Sequence, residues 1–367
     1  MMFVAGCAVK DANSCFSRGE EYYNKGDDDK AIAEFSKAIE IDRTNAKSYC
    51  WRGFAYIRKS EYSGAIADFT KAIEIDPRNV DAYYNRGIVY YKTGDYDKAL
   101  DDYSKAIEIN PGIAEPYINR GDVYDKKSDY DKAIADYNKA IEIKPGYTEI
   151  YINRGNAYKK KGDFDKAFRD FNKAIEINSG FAGAYYNRGL AYYNSGEYDK
   201  AFDDYSKTIA IDSRFAEAYC DRGNIYEKKG DFDKVIEEND RAIALKPDFM
   251  EAYYNRGSAY FKKGLFVKAI DDFNKAIKIN PGIADIYFYR GLAYCSCGYF
   301  EEALSDYNKT LNLKPDYKDV YSYRAVAYYL QAKYDKSWDD VHNAQALGVT
   351  VNQKFLNNLK GASNREK

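Results

Sequence analysis

The sequence predicts an all-α protein, an α-solenoid superhelix of ten 34-residue helix-turn-helix repeats with a C-terminal capping helix. Three observations carry this reading. Residues 12–351 divide into ten consecutive blocks of equal length with no insertion or deletion: 12–45, 46–79, 80–113, 114–147, 148–181, 182–215, 216–249, 250–283, 284–317 and 318–351. Large and small side chains recur at fixed places in each block with helical spacing. Turn residues punctuate each block twice.

The block 80–113 shows the unit most clearly. Counting from Val80 as position 1, Tyr83, Gly87 and Tyr90 fall at positions 4, 8 and 11, on one face of a first helix. Ala99, Tyr103 and Ala106, at positions 20, 24 and 27, do the same on a second. Between them, Lys92-Thr93-Gly94-Asp95 reads as a helix end, a turn glycine and an aspartate able to cap the next helix. Asn110-Pro111-Gly112 stops the second helix. Position 11 is Tyr in all ten blocks, and position 8 is Gly in all but the last, which has Ala325. One such hairpin cannot bury its own apolar face, so stacking on neighbours is what stabilises it. The 40 Tyr of the chain are then mostly repeat residues, with positions 11 and 24 expected in the core.

The period, and the large-small pattern at positions 4, 8, 11, 20, 24, 27 and 32, resemble the tetratricopeptide repeat family over residues 12–351. The resemblance implies stacked helical hairpins whose first helices line a concave surface, and a non-enzymatic scaffold or adaptor that holds peptide segments or partner proteins there. Members that bind chaperone tails carry basic residues at position 5 of an early repeat. No block here has Lys or Arg at that position, so a dicarboxylate clamp of that kind is not expected.

The ends depart from the pattern. Residues 1–11 form a leader in which Val4-Ala5-Gly6-Cys7 resembles a lipoprotein signal, although the basic start and long apolar stretch of such a signal are missing. An alternative reading follows: a lipid-anchored envelope protein, held at Cys7 and organising a membrane-associated complex. Block one is atypical in Cys15, Asp28 and Arg43, and the last block in Ala325, Ser337 and Val341, as capping repeats tend to be. Block seven has Val235 and Asn239 where Ala and an aromatic are usual, which predicts a soft spot. Residues 352–360 carry Phe355, Leu356 and Leu359 at helical spacing and read as the capping helix, with Thr350 as its cap and Gly361 as its stop. Residues 361–367 read as a disordered tail.

Charge is abundant but balanced, 56 basic against 58 acidic residues, without a basic stripe, so nucleic acid is not an expected ligand. No stretch approaches the ~20 apolar residues of a membrane span. The six cysteines form neither a disulfide framework nor a metal set, since Cys295 and Cys297 point in different directions on a helix, which favours a reducing, cytoplasmic setting. One His, no glycine-rich phosphate loop and no nucleophile motif argue against an enzyme, and no cofactor or metal is expected. With both ends capped, the chain is expected to be a monomer.

Two polar series run through the blocks. Position 7 is Arg and position 23 is acidic in every block, among them Arg86 with Asp102, Arg120 with Asp136, and Arg154 with Asp170. In an antiparallel hairpin these positions lie at similar height, so the matched series reads as a ladder of structural ion pairs. Position 6 is Asn in Asn85, Asn119, Asn153, Asn187 and Asn255, with Asp221 interrupting and Trp51, Tyr289 and Tyr323 at the flanks, a row of amides able to give a donor and an acceptor each to an extended peptide backbone. It is similar to the asparagine ladder in the repeat region of O-GlcNAc transferases. Beside it, Tyr84, Tyr186 and Tyr254 at position 5 offer anchors for apolar side chains. The competing reading takes Asn at position 6 as a common consensus residue of such repeats.

Overall fold

A computed structural model describes residues 2–363, with side chains from Asp11 onward. All described secondary structure is helical. Backbone contacts divide the chain within one helix into two compact units, the first reaching Ala191 and the second starting at Tyr192, although the sequence reads as an uninterrupted array.

The first unit contains α1 (Met2–Asn24), α2 (Asp28–Ile41), α3 (Ala46–Arg58), α4 (Tyr62–Ile75), α5 (Val80–Thr93), α6 (Tyr96–Ile109), α7 (Ala114–Lys126), α8 (Tyr130–Ile143), α9 (Thr148–Lys160), α10 (Phe164–Ile177) and the start of α11 (Ala182–Asn194). The second holds the end of α11, then α12 (Tyr198–Ile211), α13 (Ala216–Lys228), α14 (Phe232–Leu245), α15 (Met250–Lys262), α16 (Phe266–Ile279), α17 (Ala284–Ser296), α18 (Phe300–Leu313), α19 (Asp319–Leu330), α20 (Tyr334–Ala346) and α21 (Gln353–Ser363). In the first unit α3, α5, α7 and α9 each pack on the second helix of their own hairpin and on that of the hairpin before, and in the second unit α13, α15, α17 and α19 do the same. Successive first helices also touch one another, as α5 touches α7 and α7 touches α9.

The hairpin closes on two backbone devices. Position 15 is left-handed: Gly94 has φ 82°, and Ser60, Ser128 and Ala332 adopt the same conformation at φ 60°, 62° and 59°. A side chain there is strained, by about 1 kcal/mol or more, so glycine is the easier occupant. Position 8 needs glycine for a different reason. A Cβ on Gly87, Gly121 or Gly291 would lie 2.7 Å from the ring of Tyr103, Tyr137 or Tyr307. The last block tolerates Ala325 because its position 24 is Val341, which has no ring.

Several expectations need correcting. The position 24 side chains are fully buried, from Phe35 to Tyr307, but the position 11 tyrosines are only half-buried. The neighbouring position 10 takes the core place instead, with Val89, Val123 and Ile225 at zero exposure. Tyr90, Tyr124 and Tyr158 lie under the ammonium groups of Lys98, Lys132 and Lys166, each 5.3 Å from a ring centre. Asp95 occupies the N-cap position of α6 but makes no side-chain cap bond there and accepts from Lys98 Nζ at 2.6 Å, whereas Asp129 and Asp163 at the same position accept from backbone N–H groups of their helices. At the C-terminus the cap of α21 is Asn352, which accepts from the backbone N–H groups of Lys354 and Phe355, and not Thr350. The helix runs through Gly361 to Ser363, whose hydroxyl accepts from Trp338 Nε1 at 3.0 Å. Of the tail, residues 364–367 lie outside the described residues. So does the side chain of Cys7, although the backbone of α1 is helical from Met2.

Candidate functional site

The scaffold under the site is the ion-pair ladder. Arg86 Nε and Nη2 donate to the two oxygens of Asp102 at 2.8 Å each, and Arg120 and Arg154 hold Asp136 and Asp170 in the same two-pronged way. The carboxylates are buried and the guanidinium groups about four-fifths covered. Burial pushes the Asp102 carboxyl upward, and the Arg86 guanidinium opposes that shift. The sequence reading missed a third bond. Nη1 of each of these arginines reaches back to position 25 of the preceding hairpin: Arg86 to Thr70, Arg120 to Ser104, and Arg154 to Asn138. Each arginine therefore ties its own two helices together and also staples them to the neighbour. In block seven the longer Glu238 draws both bonds to Arg222 Nη2 and leaves Arg222 Nε buried without a partner.

On the first-helix side, the position 6 amides are partly exposed, and each Nδ2 already has an acceptor within the protein. Asn85 and Asn187 bond back to the carbonyls of Asp81 and Gly183 in their own helices. Asn119 donates to the Tyr84 hydroxyl at 3.1 Å, Asn153 to Asp122 Oδ1 at 3.1 Å, and Asn255 to Asn224 Oδ1 at 2.8 Å. In Asn85, Asn119, Asn153 and Asn187 one N–H is spent on orientation, and a second N–H and the carbonyl remain for a ligand; Asn255 also donates to Cys220 Sγ at 3.3 Å and keeps only its carbonyl. Tyr84 is thereby tied to the amide row, and Tyr254 packs on Phe273 and Tyr289 with ring centres 6.2 and 5.9 Å away. Tyr186 is half-buried beside Asn187.

The row runs into a pocket of about 390 Å³ in the first unit, walled by α5, α7 and α9 with Tyr137 beneath. Its polar groups sit at positions 9 and 12, where other blocks mostly carry aliphatic or aromatic side chains: Asp122 and Asp125 on α7, Asn156 and Lys159 on α9. Asp122 Oδ1 accepts from the Tyr137 hydroxyl at 2.7 Å and from Asn153. Burial pushes the Asp122 carboxyl up to about 6 despite those bonds. Asp125 Oδ2 takes Lys160 Nζ at 2.5 Å, while Asp125 Oδ1 and Asn156 Oδ1 are buried with no partner. Burial, helped by the neighbouring Lys160 charge, brings the Lys159 ammonium down to about 8. A carboxyl and an amine are thus both brought close to neutral pH in one pocket.

The second unit has a pocket of about 410 Å³ of opposite character, between α15, α17 and α19. Phe261, Phe288, Leu292, Tyr323 and Val326 line it, with Tyr307 at its base. The Tyr307 hydroxyl is buried and has no hydrogen-bond partner. Cys50 and Cys220, both buried free thiols, belong to neither pocket, and burial pushes each up to about 12.

Family models match most of this array. The model described as TPR repeat matches residues 19–60, 55–94, 122–162, 155–196, 191–230, 223–264 and 291–331, and two described as Tetratricopeptide repeat match 80–113 with 251–283 and 103–135. The chain belongs to the tetratricopeptide repeat family. Its TPR array is a protein–protein interaction scaffold. Among solved structures, a tetratricopeptide repeat protein from Parabacteroides merdae is 20% identical, with 68% of this chain and 98% of that one covered at a TM-score of 0.57. Cut9–Hcn1, an APC/C hetero-tetramer, is 17% identical over 92% of this chain and 73% of that one, TM-score 0.52. Both likenesses concern the fold. MamA protein is 32% identical over 46% of this chain and 93% of that one, TM-score 0.44. No curated protein matches the chain. No described helix of this TPR protein is long and apolar enough to cross a membrane.

The TPR pattern explains why the pocket residues escaped the sequence reading. Positions that repeat stand out in such a sequence, whereas Asp122, Asp125, Asn156 and Lys159 are exceptions to the repeat. The available signal was polarity at positions 9 and 12 in two adjacent blocks.

Proposed function

We propose that this TPR protein is a non-enzymatic adaptor that holds extended peptide segments of partner proteins along its first-helix face, with Asn85, Asn119, Asn153, Asn187 and Asn255 addressing the peptide backbone. The observation that carries the reading is the orientation of the amides. Asn85, Asn119, Asn153 and Asn187 are each held by one intramolecular bond and keep a donor and an acceptor available, which suits a main chain whatever its side chains, while Asn255, whose Nδ2 donates to both Asn224 and Cys220, keeps its carbonyl. The aromatic groups at Tyr84, Tyr186 and Tyr254 supply apolar anchors beside that row. Free buried thiols agree with a cytoplasmic, reducing setting.

The test compares partner capture by the wild type and by a variant with Asn119, Asn153 and Asn187 all changed to Ala, once circular dichroism confirms that both are folded. A control variant changes Lys105, Lys139 and Lys173 to Ala, on the second helices, where each lysine pairs with a glutamate three residues on. Loss of a partner with the amide variant but not the lysine variant supports the reading. Equal capture by all three proteins overturns it.

A further inference from the structure

We propose that the pocket of α15, α17 and α19 binds a proline-rich segment of a partner protein, with a proline ring seated among Phe261, Phe288 and Tyr323 and the hydroxyls of Tyr289 and Tyr323 donating to carbonyls beside it. This rests on the scaffold reading above and names a partner class for the second unit.

Position 6 carries the first argument. The amide row ends in the second unit at Asn255, and the next two blocks have Tyr289 and Tyr323 in its place. Their rings belong to a continuous aromatic strip. Between ring centres, Tyr254 lies 5.9 Å from Tyr289, Tyr289 5.4 Å from Phe288, and Phe288 5.4 Å from Tyr323. Tyr323 is 46% exposed, so the strip opens to solvent. An amide meets both the N–H and the C=O of an extended chain, whereas this strip presents apolar faces and hydroxyl donors.

The polar lining is biased the same way. Among the described residues no carboxylate or carboxamide lines the pocket. Lys262, exposed at the rim, can only donate, and the Tyr289 and Tyr323 hydroxyls make no hydrogen bond within the described protein. The Ser296 hydroxyl is spent on the Leu292 carbonyl at 2.9 Å. Acceptors for a ligand are limited to hydroxyl oxygens and the Cys295 sulfur, all weak in that role.

Tyr307, at the base, is the second observation. Its hydroxyl is buried without a partner. The equivalent Tyr137 gives its hydroxyl to Asp122 at position 9, so Tyr307 is aimed at the same side, where Leu292 stands. Packing does not require this oxygen, since Phe35, Phe69, Phe171 and Phe273 fill the same position fully buried. A buried donor left unpaired destabilises the fold. An acceptor brought into the pocket offsets that loss.

The ligand that fits is apolar and rich in acceptors. A basic side chain finds no carboxylate here, and an acidic one would be desolvated against Phe261, Phe288 and Leu292. Leucine or phenylalanine suits the walls but brings a backbone N–H that needs an acceptor. Proline brings none. Its ring lies on aromatic faces, and its pre-set polyproline backbone, with carbonyls turned outward, loses little freedom on docking. A volume of about 410 Å³ admits the ring with its flanking carbonyls.

The experiment titrates the full chain, by fluorescence anisotropy, with a labelled peptide whose Pro-Ala-Ala-Pro core is flanked by Gly and Ser. The same peptide with both prolines changed to leucine, and with both changed to glutamate, is run beside it. The proline peptide is expected to bind at least about tenfold more tightly than either. Changing Tyr289 and Tyr323 together to Phe keeps the rings, removes the donors, and should weaken proline binding by about tenfold. Leu292→Asp gives Tyr307 the acceptor that Asp122 gives Tyr137, so it should weaken proline binding by at least about tenfold in a chain that unfolds no earlier than wild type. Equal affinity for the proline and leucine peptides overturns the assignment. Preference for glutamate, undiminished binding by either variant, or no binding of any peptide also overturns it. Each of these outcomes leaves the amide-row reading to its own test at Asn119, Asn153 and Asn187.

Discussion

The two first-helix pockets are built at the same repeat positions. In the first unit, Tyr91, Asp122, Asp125, Tyr137, Asn153 and Asn156 occupy the places held in the second by Phe261, Leu292, Cys295, Tyr307, Tyr323 and Val326. Volumes are similar, about 390 and 410 Å³, and the hairpins beneath are held by the same ladder. What differs is chemistry. Where position 9 is Asp122, the tyrosine at position 24 donates its hydroxyl to it; where position 9 is Leu292, the equivalent Tyr307 hydroxyl is buried alone. A repeat backbone thus fixes the shape of its surface sites and leaves their polarity to a few substitutions that cost the stack little.

If the scaffold is common to both pockets, removing its arginine should hurt both equally, and this is the largest effect expected. Arg154→Ala and Arg290→Ala each strand a buried carboxylate, Asp170 or Asp306, at a cost of about 3–5 kcal/mol in chemical denaturation. A loss under about 1 kcal/mol for either would show that ladder pair to be effectively solvated.

The polar pocket alone should respond to acid. The Asp122 carboxyl is raised in the folded chain to about 6 from an ordinary value of 3.8. Its folded pKa lies above its unfolded one, so this group's contribution to stability is fully present below about pH 4 and is lost as pH rises through about 6. Asp122→Asn should remove a decline of about 2 kcal/mol across that window, relative to wild type. Parallel stability curves for the two proteins between pH 4 and 6 would contradict this.

A matched pair sharpens the contrast further. Tyr137→Phe removes a bond to a carboxylate and should cost about 1.5 kcal/mol or more, while Tyr307→Phe removes a buried hydroxyl that bonds nothing and should be neutral or slightly stabilising. Equal losses in thermal unfolding would mean that the two hydroxyls share one environment.

The smallest effect concerns block seven. Asn239 is fully buried, its Oδ1 has no partner, and Arg222 Nε nearby is also unpaired. Amide exchange in α14 should be faster than in α6, where Tyr103 fills the same place. Equal protection would show that the hairpin absorbs the substitution.

The sequence by itself determined the repeat, its length, the helix pairs and the glycines beneath the position 24 rings, because these depend on spacing within one block and on backbone rules that apply anywhere. It also put Arg86 opposite Asp102, since both lie in the same hairpin. It misplaced the position 11 tyrosines, for one step along a helix turns a side chain about 100° away, and only packing decides whether position 10 or 11 faces the core. The reach of Arg86 to Thr70 and the meeting of Asp122 with Tyr137, Asn153 and Asn156 belong to the tertiary structure. Asp122 meets Tyr137 within one hairpin, but Asn153 and Asn156 reach it from the next by stacking, and whether that carboxylate is solvated or buried depends on neighbours from other blocks.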